Sequence, residues 1–158
     1  MPSEVLHKSL KEIITDYNPA GEDTLAQYAI DGMTPEVVVS PDSIASLAAV
    51  VQLASEYDYG IIPWGSGTKM DIGLPPTRAD IVVQLDRMNQ VLEYEPADQA
   101  ITVQAGIRLS DLQSHLGSQG QYWPLDPPHG ETCTLGGILA TNASGLLRMT
   151  FGTARDIV

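Results

Sequence analysis

The sequence predicts an α+β fold with a small parallel βαβ unit followed by an antiparallel hairpin. The βαβ unit is indicated by strand-like runs at residues 37–39 and 61–63, which flank a helical pattern that begins at Ile44. The hairpin is indicated by two alternating segments, residues 91–95 and 101–105, which flank a short turn. Parallel strands need a long crossover, whereas a short turn joins antiparallel neighbours.

The first 34 residues are predicted to form an N-terminal helical segment, which precedes a main domain at residues 35–158. Apolar residues recur at helical spacing over residues 3–17, and the turn sequence Asn18-Pro19-Ala20-Gly21 ends that pattern. In the main domain, residues 40–43 have the cap and first-turn types that start a helix, which is expected to end near Tyr59 and Gly60. The two flanking strands are predicted to pair in parallel through a right-handed crossover.

After residue 80, the predicted elements depend on shorter sequence patterns. Residues 81–85 are a third strand candidate for the same sheet. Ser110 is predicted to cap a short helix over residues 111–116, which Gly117 closes. Residues 120–130 are dominated by loop residue types, so no further element is predicted there.

The composition excludes several classes of protein. A chain of 158 residues can bury the core of one domain, alone or with a small appendage. Eight Lys and Arg against 20 Asp and Glu give a formal net charge of -12, so we expect no nucleic-acid partner. Cys133 is the only cysteine, and no apolar run is long enough to span a bilayer. We therefore expect a cytoplasmic protein without a transmembrane segment.

The loop Gly65-Ser66-Gly67-Thr68-Lys69 directly follows the second strand. Its glycines permit backbone torsions that aim successive N–H groups at one point, as an anion-binding nest requires. The spacing matches neither the Walker A loop nor the Rossmann fingerprint. Phosphate is the natural ligand of such a loop, but a tight turn after a buried strand explains the glycines equally well. Lys69 is equally consistent with a ligand contact and with a solvated charge.

A second candidate segment, residues 132–145, is rich in Gly, Ala, Ser and Thr. A flat ligand can lie against such a backbone and form hydrogen bonds with its amides and hydroxyls. The alternative is a small-residue helix packed against a neighbour, since Gly136 and Gly137 precede an apolar helical stretch. Upstream, three prolines make residues 122–128 a rigid loop that could border a ligand or simply close the core with Trp123.

No other group of residues predicts chemistry. His7, His115 and His129 lie in separate segments without metal-ligand spacing, so we expect no metal site. Cys133 follows His129 closely, but a lone cysteine is more often a small buried hydrophobe than a nucleophile. The sequence also has no G-x-S-x-G nucleophile motif. The catalytic residues are therefore left unassigned.

Taken in order, these motifs resemble the flavin domain of the FAD-linked oxidase family typified by p-cresol methylhydroxylase and vanillyl-alcohol oxidase. The resemblance covers roughly residues 35–158 and depends on the glycine loop, residues 124–128, residues 134–145 and Gly152-Thr153-Ala154-Arg155-Asp156. Within that family, the sequence is most similar to the FAD-binding subunit of glycolate oxidase. The resemblance implies a two-lobed domain with FAD lying between the parallel and the antiparallel lobe.

The resemblance also implies the cofactor-binding residues. The glycine loop corresponds to the segment that wraps the FAD pyrophosphate, and residues 134–145 correspond to the stretch that lies against the flavin and its ribityl phosphate. The predicted cofactor-binding residues are Trp64, Gly65, Ser66, Gly67, Thr68, Lys69, Pro127, Thr134, Gly136, Gly137, Thr141, Asn142, Ser144 and Gly145. Because the loop has no histidine for a covalent linkage, FAD is predicted to bind non-covalently.

The implied function is that of an FAD-dependent oxidoreductase, in which the flavin oxidises a 2-hydroxy acid and electrons pass to an acceptor. The implied partners are the other subunits of a glycolate oxidase-type complex, a larger flavoprotein and an iron-sulfur subunit. The alternatives are a stand-alone FAD oxidase or dehydrogenase of another hydroxy acid, and a non-catalytic scaffold subunit that retains the fold. Since the family continues beyond the position of Val158 and has a cap domain, the chain is expected to be truncated and inactive alone.

Overall fold

A parallel and an antiparallel sheet are both present, which confirms the predicted α+β fold. The computed structural model describes residues 3–158, and it divides them into two units. The first unit contains the described residues up to Trp64 together with Lys69–Arg87. The second contains Gly65–Thr68 and Met88–Val158.

The described part of the first unit contains a three-stranded sheet and three helices. Two of the helices precede the first strand in the sequence, and the third follows it. Its elements are α1 (Ser3–Ile13), α2 (Glu22–Ala26), β1 (Val37–Val39), α3 (Ile44–Glu56), β2 (Ile61–Trp64) and β3 (Ile81–Gln84). The predicted N-terminal helix therefore ends four residues earlier than expected, at Ile13. Helix α2 was not predicted, because a five-residue helix has too few positions to show a 3.6-residue period.

The strand order in this sheet corrects one detail of the prediction. β1 and β2 run parallel, but they do not pair with each other, because β3 lies between them and pairs with both. The burial of the strands explains the order. Ile81, Val82 and Val83 are all buried, so β3 is apolar on both faces, as a central parallel strand must be.

Helix α3 begins at a complete capping box. The Ser43 hydroxyl accepts a hydrogen bond from the Ser46 N–H at 3.2 Å, and the Ser46 hydroxyl accepts one from the Ser43 N–H at 3.2 Å. Helix α3 then packs Val50 and Leu53 into the same core as Leu6 and Leu10 of α1. The cap and the apolar spacing that predicted this helix are both confirmed.

The second unit combines a hairpin with four helices among its described residues. Its elements are β4 (Val91–Glu95), β5 (Ala100–Val103), α4 (Leu109–Gly117), α5 (Leu135–Thr141), α6 (Arg148–Phe151) and α7 (Ala154–Ile157). The antiparallel hairpin is confirmed. Ser110 is not the cap of α4, because the helix already begins at Leu109, whose N–H donates to the Cys133 carbonyl at 3.0 Å.

The core of the second unit is formed by α4, α5, α7 and the loop between α4 and α5. Leu112, Ile138 and Ala154 are essentially inaccessible to solvent, and Trp123 of the proline-rich loop lies among them. The loop is held in place by Gln113, whose side chain accepts from the Trp123 N–H and donates to the Trp123 carbonyl. Across residues 3–158, no helix is both long and apolar enough to cross a membrane.

Candidate functional site

The glycine loop leaves β2 with a run of unpaired donors. Gly67 has φ +72°, a torsion that glycine adopts without strain. Within the described part of the chain, the backbone N–H groups of Gly65, Ser66, Gly67, Thr68 and Lys69 donate no hydrogen bond. Main-chain donors normally find a partner, so five successive free donors make this loop suited to an acceptor from outside the chain.

Gly65 lies directly against Thr134, the residue before α5. A Cβ atom on Gly65 would lie 2.2 Å from the Thr134 Oγ1, a distance at which atoms overlap. Thr134 is 6% exposed, and its Oγ1 also accepts a hydrogen bond from the Gly137 N–H at 3.3 Å. The structure therefore brings together three of the predicted cofactor-binding residues, Gly65, Thr134 and Gly137.

Lys69 ends the loop with a buried, unpartnered amino group. Its Nζ has almost no solvent exposure, and no hydrogen-bond acceptor lies within reach among the described residues. A buried ammonium group without a partner is costly, because the charge has lost its water without gaining an anion. The environment of Lys69 therefore favours an anionic ligand over the solvated charge that the sequence left open.

The small-residue segment forms helix α5, which was the structural alternative for this segment. Gly136 packs on the hairpin end, where an added Cβ would lie 2.9 Å from both the carbonyl oxygen and the Cβ of Ala105. Gly137 has more room, since the nearest atom to its added Cβ would be the Thr134 Oγ1 at 3.2 Å. The Thr141 hydroxyl turns back into the helix and donates to the Gly137 carbonyl at 2.8 Å. Close packing on the Ala105 backbone thus accounts for Gly136, whereas the tight contact of Gly137 is with one side-chain atom, the Thr134 Oγ1.

The end of α5 and the following turn are fixed by polar contacts. Asn142 adopts φ +47° as the C-cap, and its Oδ1 accepts from the Arg155 N–H at 3.4 Å. Gly145 lies on Asp126, whose carbonyl oxygen would be 2.0 Å from an added Cβ. The Asp126 carboxylate also accepts from the N–H groups of Leu146 and Leu147, at 3.1 and 2.9 Å. Gly145 therefore has a packing role beside any contact with a ligand.

The other predicted residues are distributed over both units. Trp64 and Lys69 belong to the first unit, and the remaining predicted residues belong to the second. Pro127 is buried, Ser66 is exposed, and Thr68 and Ser144 are half-buried. No group of three or more metal-binding side chains occurs among residues 3–158.

Three residues that contact predicted residues were not themselves predicted. Asp126 stood inside a predicted motif, but its role became visible only with the turn that it holds. Ala105 is a small residue whose closeness to Gly136 depends on tertiary packing. Tyr28 contacts Trp64, and a single aromatic residue in an irregular segment gives no signal in the sequence.

Comparison with protein families identifies the ligand class that this arrangement fits. The model of a family described as "FAD binding domain" matches residues 35–158. FAD contains a diphosphate, and the free N–H groups of the glycine loop and the unpartnered Lys69 ammonium are donors that such a group needs. The residues present therefore fit the cofactor that the family binds.

Several curated proteins similar to this chain are named as oxidases or dehydrogenases. The chain is 32% identical over 124 residues to glycolate oxidase subunit GlcD of Bacillus subtilis, a match that covers 78% of this chain and 26% of the relative. It is 32% identical to D-lactate dehydrogenase of Anaerostipes hadrus, covering 98% of this chain and 34% of the relative. The chain thus spans about a quarter to a third of the length of these relatives.

Solved structures share the fold. An alkyldihydroxyacetonephosphate synthase superposes with a TM-score of 0.71 at 33% identity, covering 78% of this chain and 25% of that one. p-Cresol methylhydroxylase superposes with a TM-score of 0.72 at 16% identity, covering 88% of this chain and 29% of that one, which shows a common fold. The predicted family resemblance is confirmed: the chain belongs to the family of FAD binding domains, and FAD is its cofactor.

Proposed function

We propose that this chain is the FAD-binding part of an oxidoreductase that acts on a 2-hydroxy acid. The observation that carries the proposal is the run of five unpaired backbone N–H groups at residues 65–69, which ends at the unpartnered Lys69 ammonium. Both features favour the binding of an anion, and the diphosphate of FAD is an anion. The membership of the chain in the FAD binding domain family supports the choice of ligand.

The loop and the small-residue segment take different roles in this proposal. Residues 65–69 would hold the diphosphate, with Gly67 providing the left-handed torsion and Lys69 the countercharge. Gly137, Thr141 and Ser144 would lie along the ribityl chain and the flavin. Gly136 and Gly145 would act beside them mainly by permitting close packing on Ala105 and Asp126. Trp64, Pro127, Thr134 and Asn142 are the remaining residues that we propose to contact FAD.

FAD supplies the redox chemistry when it is bound, since it accepts a hydride equivalent from a carbon that bears a hydroxyl group. The residues of this chain bind the cofactor, orient it and balance its charge. The glycine loop contains no histidine, and Cys133 is buried in the core of the second unit, which supports non-covalent binding. No side chain in the described residues is assigned as a catalytic acid or base.

The names of the relatives support the proposed substrate class. Glycolate, D-lactate and D-2-hydroxyglutarate are all 2-hydroxy acids, and they appear in the names of relatives that match 78 to 98% of this chain. One form of the proposal is a subunit of a glycolate oxidase-type complex that works in the cytoplasm beside a larger flavoprotein and an iron-sulfur subunit. The other is a stand-alone dehydrogenase, which the D-lactate dehydrogenase relative favours.

A flavin absorption spectrum tests the proposal. The protein is loaded with FAD, freed of excess ligand by gel filtration, and then precipitated with acid. We expect a flavin band that stays with the protein on the column and moves to the supernatant after acid. A protein that elutes without flavin would contradict the proposed cofactor site, and flavin retained in the pellet would contradict non-covalent binding.

Reduction by candidate substrates tests the second part of the proposal. Glycolate, D-lactate and D-2-hydroxyglutarate are added without oxygen to the flavin-loaded protein together with its partner subunits. Loss of the oxidised flavin band with at least one of them supports the substrate class. If none of them reduces the flavin, the proposed 2-hydroxy acid oxidation is wrong for this protein.

A further inference from the structure

Tyr28 joins the ends of two neighbouring strands in the first unit. Its hydroxyl donates a hydrogen bond to the Gln84 Oε1 at 2.6 Å, and its ring meets the Trp64 indole edge-on, with centroids 5.0 Å apart. Gln84 is the last residue of β3 and Trp64 the last residue of β2, and the two are register partners in the sheet. One side chain thus contacts both strands at their carboxyl ends.

These contacts fix the residue from which the glycine loop departs. The Trp64 carbonyl accepts a hydrogen bond from the Leu85 N–H at 3.0 Å, so its backbone is held by the chain that follows β3. The Trp64 side chain packs against the Tyr28 ring. Gly65 is the next residue, and it begins the run of unpaired N–H groups described above.

Two contacts hold the Tyr28 side chain in place. Burial raises the pKa of its hydroxyl, and the nearby Asp86 carboxylate adds to the rise, so the group remains a protonated donor at neutral pH. An edge-to-face aromatic pair contributes roughly 0.5–1.5 kcal/mol beyond simple burial. A second contact through the hydroxyl limits rotation of the ring. The aromatic pair with Trp64 and the hydrogen bond to Gln84 therefore both restrict the Tyr28 side chain.

We propose that Tyr28 is a positioning residue, which holds Trp64 and thereby sets the backbone direction in which the glycine loop leaves β2. This inference rests on the proposed function, because the loop is taken to bind the FAD diphosphate. Tyr28 itself need not touch the cofactor. Its effect on affinity comes through the angle at which the donors of residues 65–69 are presented, and small errors in such angles weaken binding strongly.

Two variants separate the ring from the hydroxyl. Tyr28→Leu removes both the hydrogen bond and the aromatic pair and should weaken FAD binding about tenfold. Tyr28→Phe keeps the ring and loses one hydrogen bond, so we expect about a threefold loss. Adding Gln84→Leu to Tyr28→Phe should cause no further loss, because the hydroxyl acts through Gln84. Tyr57→Leu, a change of the same kind at a 43% exposed residue of the same unit, is the control.

Tryptophan fluorescence gives a readout that does not depend on FAD. Without ligand, Tyr28→Leu should shift the emission spectrum toward that of a more exposed indole. The shift should vanish in a Trp64→Phe background, where Trp123 is the remaining tryptophan. Thermal unfolding confirms that each variant is folded before it is compared.

The outcomes distinguish this inference from the proposed function. A Trp64 shift together with weaker FAD binding supports the inference. A Trp64 shift in a protein whose unaltered form does not bind FAD supports the positioning of Trp64 but contradicts the proposed function. No Trp64 shift, or unchanged FAD affinity in a folded Tyr28→Leu variant of a protein that does bind FAD, would overturn the inference.

Discussion

At the scale of single residues, Gly65 and Thr134 restrict each other. The Thr134 Oγ1 occupies the space that a Cβ on Gly65 would need, and that oxygen also caps α5 by accepting the Gly137 N–H. The glycine is therefore required by this close approach. This contact ties the glycine loop to the start of α5 within the second unit.

Gly65→Ala should destabilise the protein by about 1–3 kcal/mol, the usual cost of overpacking. Thr134→Ala alone should cost about 1 kcal/mol through the lost cap. In the double variant the added methyl group has room. The double variant should therefore lose less stability than the sum of the two single losses. Urea unfolding measures all three free energies, with Gly117→Ala as a control. Among the described residues, no atom outside its chain neighbours and its own helix backbone lies within 4 Å of its added Cβ. Strictly additive losses would show that the overlap is relieved elsewhere.

Tyr17 gives the first unit a dependence on pH. Burial raises the pKa of its hydroxyl to about 12, with a smaller contribution from Glu36, and the His7 Nδ1 lies 2.5 Å from the hydroxyl oxygen. The folded protein therefore holds the proton more tightly than the unfolded chain, whose tyrosine pKa is about 10. This contribution to stability is complete below pH 10 and is lost as the pH rises from about 10 to about 12.

We expect the free energy of unfolding to decrease as the pH rises through that alkaline range. In the Tyr17→Phe variant, this decrease should be smaller. Burial also raises the pKa of Tyr28 and Tyr59, so part of the slope should remain. Urea unfolding at a series of pH values provides the slope. Tyr122→Phe, at a 59% exposed site, serves as the control and should leave it unchanged. The same slope in the Tyr17→Phe variant and the unaltered protein would contradict this assignment.

At the scale of elements, the cap of α3 shows how local signals determine a helix boundary. Ser43 and Ser46 bond each other's backbone N–H groups, so two donors at the start of the helix are satisfied. Ser43→Ala should lower the free energy of unfolding by about 1 kcal/mol. Ser55→Ala, an exposed change inside the same helix, should have little effect or raise it slightly. Thermal or urea unfolding compares them, and equal stability of the two variants would show that the box contributes nothing.

Elements with strong local patterns could be predicted from the sequence. β1, α3, β2 and the hairpin are placed within a few residues, because their alternation, caps and turns lie within each segment. The position of β3 between β1 and β2 could not be derived that way, since strand order depends on which strand is buried on both faces. Helix α2 is too short to show a period.

The same division applies to the site. The glycines at residues 65 and 67 marked the loop, and Gly67 has the left-handed torsion that glycine adopts without strain. The burial of Lys69 and the contact of Gly65 with Thr134 are tertiary facts without a local pattern. The packing of Gly136 on Ala105 also required the folded chain, and it gives that glycine a role which the sequence left open.

At the scale of the whole molecule, the charge makes the position of Lys69 unusual. The chain has eight Lys and Arg against 20 Asp and Glu, so anions meet a repulsive surface over most of the protein. An anionic cofactor must then be held by local donors. The free backbone N–H groups of residues 65–69 and the Lys69 ammonium are such donors.

This arrangement predicts opposite effects on stability and on binding. In the ligand-free protein, Lys69→Met removes an unpartnered buried charge and should raise the free energy of unfolding by at least about 1 kcal/mol. Most single substitutions destabilise a protein, so a rise in stability here would point to the removed charge. Lys8→Met, at an exposed position on α1, is the matched control and should change stability little.

Titration of the purified protein with FAD, compared between the unaltered chain and Lys69→Met, tests the central claim most directly. We expect saturable binding by the unaltered chain and an affinity about ten- to a hundredfold lower in Lys69→Met, since a hydrogen bond to a charged group contributes about 1.5–3 kcal/mol. Lys8→Met should bind as the unaltered chain does. Equal FAD affinity in the unaltered chain and the folded Lys69→Met variant, or no FAD binding by either, would contradict the account.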